Sequence, residues 1–165
     1  MKRHMTVTAF VSREGCTLLH WHAKNRMWLP PGGHIEPEED PIQALCREAE
    51  EETGLAIEVL PSSDSFPYEE PEQLPAPVTI MVEDIPATPE EPAHQHIDLV
   101  YFARPDKAAS NTFLSEGWRW VSEQELQSNT ALNTENGAAP VPAPEDVRVL
   151  GLAAIRAARE ECRDA

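Results

Sequence analysis

The chain has 165 residues, 41% hydrophobic and 25% charged, a make-up that suits one folded domain and excludes an intrinsically disordered polymer. Its net charge of -16 at pH 7 argues against non-specific contact with nucleic acid or an anionic membrane surface. The same charge repels a phosphorylated ligand unless a divalent cation accompanies it.

No apolar run approaches the roughly 18 residues needed to cross a bilayer. The start, MKRHMTVTAF, lacks the apolar segment of a signal peptide. Cys16, Cys46 and Cys162 are widely spaced with no CxxC pair, so reduced thiols and a cytoplasmic location are expected.

In chain order, TVTAFVS and CTLLHWHA are rich in β-branched and aromatic residues and flank REG, which predicts a hairpin. Pro30-Pro31-Gly32-Gly33 predicts a loop. A helix follows, with Asp40 as N-cap, Pro41 at its first position, Gln43 completing a capping box and Gly54 ending it. Residues 61–95 hold eight of the sixteen prolines and one convincing strand, VTIMVED, so this span is expected as a surface excursion. HIDLVYFA and GWRWVS predict two further strands. The composition of 127–144 predicts a mobile loop, and about 145–160 a last helix with Val147, Leu150 and Ala154 facing the core. The order of elements suggests a single domain, 1–165, built as a mixed sheet with helices packed on it.

The predicted helix carries an oddity. On a wheel of about 100° per residue, Ile42, Leu45, Cys46 and Ala49 form a core stripe, and Glu48, Glu51 and Glu52 cluster within about a third of a turn. Like charges at these spacings cost roughly 0.2–0.5 kcal/mol per pair, so a stable helix can carry them with no purpose, as a solvated acidic face. Alternatively they serve a hard cation: Mg²⁺ takes oxygen ligands, commonly one or two carboxylates with phosphate and water. The neighbouring glycines offer backbone carbonyls and let a polyphosphate approach closely, and Arg47 is placed to orient a glutamate.

The run Gly33, Glu39, Arg47-Glu48-Ala49-Glu50-Glu51-Glu52-Thr53-Gly54-Leu55 has the spacing G-x5-E-x7-R-E-U-x-E-E-x-G-U and resembles the complete Nudix box. MWLPPGG resembles the approach to that box, and WRWVSEQEL the closing strand and helix start of the family. The resemblance implies an α+β fold, an α/β/α sandwich around a mixed sheet. It also implies Mg²⁺-dependent hydrolysis, with Mn²⁺ able to substitute, of a nucleoside diphosphate linked to another moiety. Glu48, Glu51 and Glu52 match the family's metal-binding glutamates, helped by the Gly32 or Gly33 carbonyl. Glu39 matches the acidic residue of the box loop, and Arg47 the arginine that holds the catalytic glutamates. Glu48 is the expected general base, then Glu52; Glu116 is a further acidic residue near the last strand, or an exposed turn glutamate. The alternative is a non-catalytic Nudix-fold nucleotide-binding or sensor domain, although such domains usually show gaps in the box.

The substrate is less legible. Lys24 and Arg26 are placed to hold phosphate, or are solvated loop charges. Trp28, Tyr68, Tyr101, Trp118 and Trp120 are candidates for stacking a base, with sheet or core packing the plainer reading. Alternation in HQHIDLVYF puts His96, Asp98 and Val100 on one face. Asp98 either reads a base or ribose from the pocket wall, or is an edge-strand aspartate in solvent. His34 reads as a loop residue and not a Mg²⁺ ligand, since Mg²⁺ prefers oxygen. The expected partner is a small-molecule nucleotide diphosphate derivative, with no nucleic acid and no membrane; a homodimer is left open.

Overall fold

The computed structural model describes residues 1–89, 91–107, 113–134 and 137–164, the stretch 161–164 as backbone alone. The fold is α+β: a mixed sheet with a helix against each face. Strand β1 (Arg3–Arg13) turns through Glu14 and Gly15, both at positive φ, into β2 (Cys16–His22), as the hairpin expectation required. Then come β3 (Met27–Leu29) and β4 (Gly32–His34), helix α1 (Pro41–Thr53), and strands β5 (Ile57–Val59), β6 (Thr79–Ile85), β7 (His94–Pro105) and β8 (Trp118–Ser122). Helices α2 (Glu123–Gln127) and α3 (Glu145–Asp164) close the chain.

At the centre β1 and β7 run parallel, with Thr6 opposite Asp98 and Thr8 opposite Val100. Strand β7 is flanked on its other side by β6 and β5, both antiparallel. The far end of β1 passes to β2, which carries β3 and β8. Alternation along β1 and β7 builds two cores. Phe10 and Val100 face α3, packing with Val147, Ala154 and Ile155, whereas Val7, Ala9, Tyr101 and Ala103 face α1, packing with Ala44, Leu45 and Ala49.

One local expectation is corrected and another extended. The run Pro30–Gly33 is irregular only at its prolines; Gly32–His34 forms β4, antiparallel to β1, with Gly32 opposite Thr8 and Gly33 opposite Val7. A three-residue strand gains its hydrogen bonds from a distant partner, so nothing local announces it. On α1 the buried set is Ala44, Leu45, Ala49 and Thr53, with Ile42 and Cys46 at its margin. Ala44 lies on the Glu48 side of the wheel and is nonetheless fully buried, because that side of the helix lies against β4.

The caps are as expected. Asp40 accepts from the amides of Ile42 and Gln43, Gln43 accepts from the Asp40 amide, and Gly54 sits at φ 77°. Loss of such an N-cap costs about 1 kcal/mol. Within 127–144, Leu132 bridges Val141, and Leu132 and Ala143 enter the α3-side core.

Candidate functional site

Arg47 organises the acidic face of α1. Its Nε and Nη2 donate to the two oxygens of Glu39 at 2.6 and 2.8 Å, its Nη1 donates to Glu48 at 2.8 Å and to Glu51 at 3.3 Å, and Nη2 also reaches the His34 carbonyl at 3.1 Å. One guanidinium thus draws together three carboxylates and fastens the helix to the end of β4. The Arg47 hydrogen bond holds the Glu39 carboxyl below the usual range, and Glu39 with Glu48 raises Arg47 above its own. Repulsion on this face is therefore partly offset within the protein itself.

Gly32 has no room for a side chain, and one at Gly33 would displace Glu48. A Cβ on Gly32 would collide with the Val7 carbonyl, and one on Gly33 with the Glu48 carboxyl group. Glu52 accepts from the Gly32 amide at 3.1 Å. Burial raises its carboxyl above the ordinary range; the Gly32 amide opposes this, and Glu48 and Glu51 add to it.

Glu52, Gly32 and Gly33 form one end of a cavity of about 300 Å³. Its floor is the face of β1 and β7 that carries Thr6, Thr8 and Asp98, and its walls include Asn25, Glu83 and Asp146. Asp98 is 3% exposed and accepts a 2.7 Å hydrogen bond from Thr6 Oγ1, so the reading of a solvated edge aspartate is overturned: β7 is an inner strand. Burial raises the Asp98 carboxyl against the lowering pull of the Thr6 and Thr8 hydroxyls. No motif in the sequence marks Thr6, Thr8, Asn25, Glu83 or Asp146. For the two threonines the signal is the alternation of TVTAF, which faces them the same way as Asp98 once β1 and β7 are paired.

Other expected residues fall elsewhere. Lys24 and Arg26 are exposed in the β2–β3 turn and do not line the cavity. Tyr101, 2% exposed, packs in the α1-side core, on the opposite face of β7 from Asp98. Glu116 is exposed in the turn before β8. Of the aromatic residues, Trp28 is buried and donates to the Val141 carbonyl at 3.0 Å, Trp120 lies under Arg13, and Tyr68 is exposed beside Phe66. Trp118 packs on His20, which does line the cavity.

The acidic face suits a hard dication. Carboxylate oxygens of Glu48, Glu51 and Glu52 beside Gly32 and Gly33 of β4 are donors of the kind that Mg²⁺ takes. The space above Gly33 is taken up by Glu48 and would be lost to any side chain there.

The chain resembles known proteins in sequence and in fold. A curated protein of Bos taurus, m7GpppN-mRNA hydrolase NUDT17, is 38% identical over 50 residues, which is 30% of this chain and 16% of that protein. The chain thus spans about a sixth of that relative's length. The crystal structure of a hydrolase, NUDIX family, from Clostridium perfringens is 29% identical, with a TM-score of 0.71 over 94% of this chain and 98% of that one. The solution structure of the E. coli ORF135 protein shares the fold, at 23% identity and a TM-score of 0.53 over 96% of this chain and 94% of that one. The NUDIX domain model matches residues 2–142, and on that extent the chain belongs to the NUDIX domain family.

Proposed function

We propose that the protein is a Mg²⁺-dependent pyrophosphohydrolase that cleaves a diphosphate bond in a nucleoside diphosphate linked to another moiety, such as a nucleoside triphosphate, nucleotide sugar or dinucleotide. One observation carries this reading: a single cavity runs from Glu52 and the glycine strand to the buried Asp98. Such a cavity has one end fit for phosphates and a cation, and another fit for hydrogen bonding to a base or ribose. The complete box supports catalysis over a sensor role. The bovine relative is named for hydrolysing m7GpppN-mRNA, a substrate with linked phosphates; a match over 50 residues supports the bond type and not the cap.

In this reading Glu48, Glu51 and Glu52, with the Gly32 or Gly33 carbonyl, hold the cation. Bound there, it screens phosphate charge and makes a water more acidic. Arg47 keeps Glu48 in place, and Glu39 braces Arg47 from behind. Of the two glutamates considered as base, Glu48 is tied to Arg47 while Glu52 lines the cavity, so we assign proton acceptance to a Glu52 carboxylate oxygen. Water attacks phosphorus directly, and no phosphorylated protein forms.

The test is hydrolysis of a nucleotide panel with Mg²⁺ in ¹⁸O-labelled water. At least one linked diphosphate should be cleaved, with the label on one product phosphate and no phosphorylated protein trapped. Efficient release of phosphate from a simple monoester, or no cleavage across the panel, overturns the proposal.

A further inference from the structure

The chain has six histidines, and four of them converge: His4 on β1, His34 on β4, and His94 and His96 on β7. The ladder brings them together. His4 stands opposite His96 on the parallel strand, and His34 stands opposite Thr6, one pleat along the same face. His94 shares that face by alternation. His4 Nδ1 lies 3.2 Å from His34 Nε2, and His94 Nε2 lies 3.2 Å from His96 Nε2. One ring nitrogen each of His4, His34 and His96 lie within 4.8 Å of one another.

The 3.2 Å separation of His4 Nδ1 and His34 Nε2 is near what a tetrahedral ion needs, and a ring nitrogen of His96 lies within 4.8 Å of both residues' ligand atoms. A Zn–N bond of about 2.0–2.1 Å sets the nitrogens of one ion about 3.3–3.4 Å apart, so small ring rotations close the gap. Supporting partners are present too. His94 is 5% exposed, and its Nδ1 lies 3.0 Å from the Pro92 carbonyl, which only accepts. That nitrogen therefore donates to the carbonyl, and His94 Nε2, beside His96 Nε2, steadies that ring. Glu91 Oε1 stands 3.9 Å from His4 Nε2, beyond hydrogen-bond distance but close enough for its charge to favour a cation at these rings.

We propose that His4, His34 and His96 bind a borderline transition-metal dication, with Zn²⁺ as the probe, at a site separate from the carboxylates of α1. Imidazole nitrogen suits Zn, Cu, Ni or Fe and not Mg²⁺, so the two sites differ in the ions they select. The net charge of -16 favours any cation. His34 and His96 also line the cavity that contains Glu52. An ion there places positive charge in a cavity whose carboxyl groups are Glu52, Glu83, Asp98 and Asp146.

The experiment is Zn²⁺ titration of the full chain by calorimetry in excess Mg²⁺, repeated with Co²⁺ to read the visible absorption of tetrahedral nitrogen coordination. One Zn²⁺ should bind, and Co²⁺ should give the tetrahedral spectrum in the unaltered protein. His34 is exposed, so His34→Ala should fold normally, and it should weaken Zn²⁺ binding by more than the roughly 10–100-fold typical of losing a supporting partner. His96→Gln should do the same, and Glu91→Gln, which removes a nearby charge but no ligand, should cost less. No Zn²⁺ bound above the Mg²⁺ background overturns the proposal. So does full affinity in His34→Ala with loss in His94→Ala, which moves the ion to the alternative set His4, Glu91 and His94.

Discussion

Glu48 lies over Gly33 only because residue 33 has no side chain: a Cβ there would meet the Glu48 carboxyl group itself. The pairing of Gly33 with Val7 fixes the strand, so the flexible end of Glu48 is the part that yields, against its hold on Arg47. Gly33→Ala should therefore displace Glu48 while β4 stays paired. A misplacement of about 1 Å costs on the order of 10²-fold in turnover. Steady-state kinetics beside a circular dichroism melt would check this; unchanged turnover would show that Glu48 need not sit there.

Arg47 is a second residue on which the geometry of the site depends. Lysine keeps the charge but has no planar fork, so it cannot grip both oxygens of Glu39 while also holding Glu48 and the His34 carbonyl. Arg47→Lys should cost about 1–2 kcal/mol of stability, an amount set by hydrogen bonds to charged groups at a partly exposed position. Its turnover should fall further than its melting temperature suggests, because Glu48 is released. Urea unfolding and turnover measured on one preparation separate the two effects.

Mg²⁺ should stabilise the fold. Glu48, Glu51 and Glu52 share one face of α1 only in the folded state, so a cation bound there favours that state. At 100 times its Kd the gain is about 2.7 kcal/mol, equivalent to a rise of roughly 5–10 °C in Tm for a chain of this size. Glu51→Gln should shrink the rise, since Glu51 is the most exposed of the three and its loss disturbs packing least. An unchanged melt at saturating Mg²⁺ would leave the acidic face merely solvated.

The helix that carries the site was legible because its information is local. Asp40, Pro41, Gln43 and Gly54 mark its ends by chemistry that acts within four residues, and the glutamate spacing needs only the helical period. What stayed hidden depends on partners far along the chain. Gly32–His34 becomes a strand through β1, and Asp98 is buried because β1 and β7 pair in parallel across more than ninety residues. Ala44 escaped the wheel for the same reason: β4 covers a side of α1 that periodicity assigns to solvent. Lys24, Arg26 and Tyr101 show the converse, residue types that suit a nucleotide but positions that the turn or the pleat directs elsewhere.

Asp98 should influence which substrate binds more than how fast it reacts. Asp98→Asn keeps the shape and an acceptor for Thr6 Oγ1, so the fold should hold. It exchanges a carboxyl group for an amide where the cavity is driest. Altering one hydrogen-bonding group inside a pocket changes discrimination by at least the roughly 10–200-fold that a single methylene does. The kcat/KM ratios between purine and pyrimidine substrates should shift, with kcat on the best substrate nearly kept. Equal losses on every substrate would place Asp98 outside the base-reading end.

Glu48 and Glu52 can be told apart by what each loss does to binding and to turnover. Glu52 lines the cavity and accepts from the Gly32 amide, whereas Glu48 is turned toward Arg47. If Glu52 takes the proton of the attacking water, Glu52→Gln removes an interaction made in the transition state and should lower kcat by roughly 10²–10⁴-fold with KM little changed. Glu48→Gln, losing a cation ligand, should instead raise the Mg²⁺ concentration needed for half-maximal rate, and excess Mg²⁺ should recover part of the loss. Glu52→Gln also loses a cation ligand, but saturating Mg²⁺ should not recover its kcat, because no amount of cation restores a proton acceptor. Should the two variants exchange these behaviours, the base is Glu48 and the bond from Arg47 Nη1 serves to aim it; should both be rescued by Mg²⁺, the acceptor lies outside the helix, and Glu116 becomes the residue to replace next.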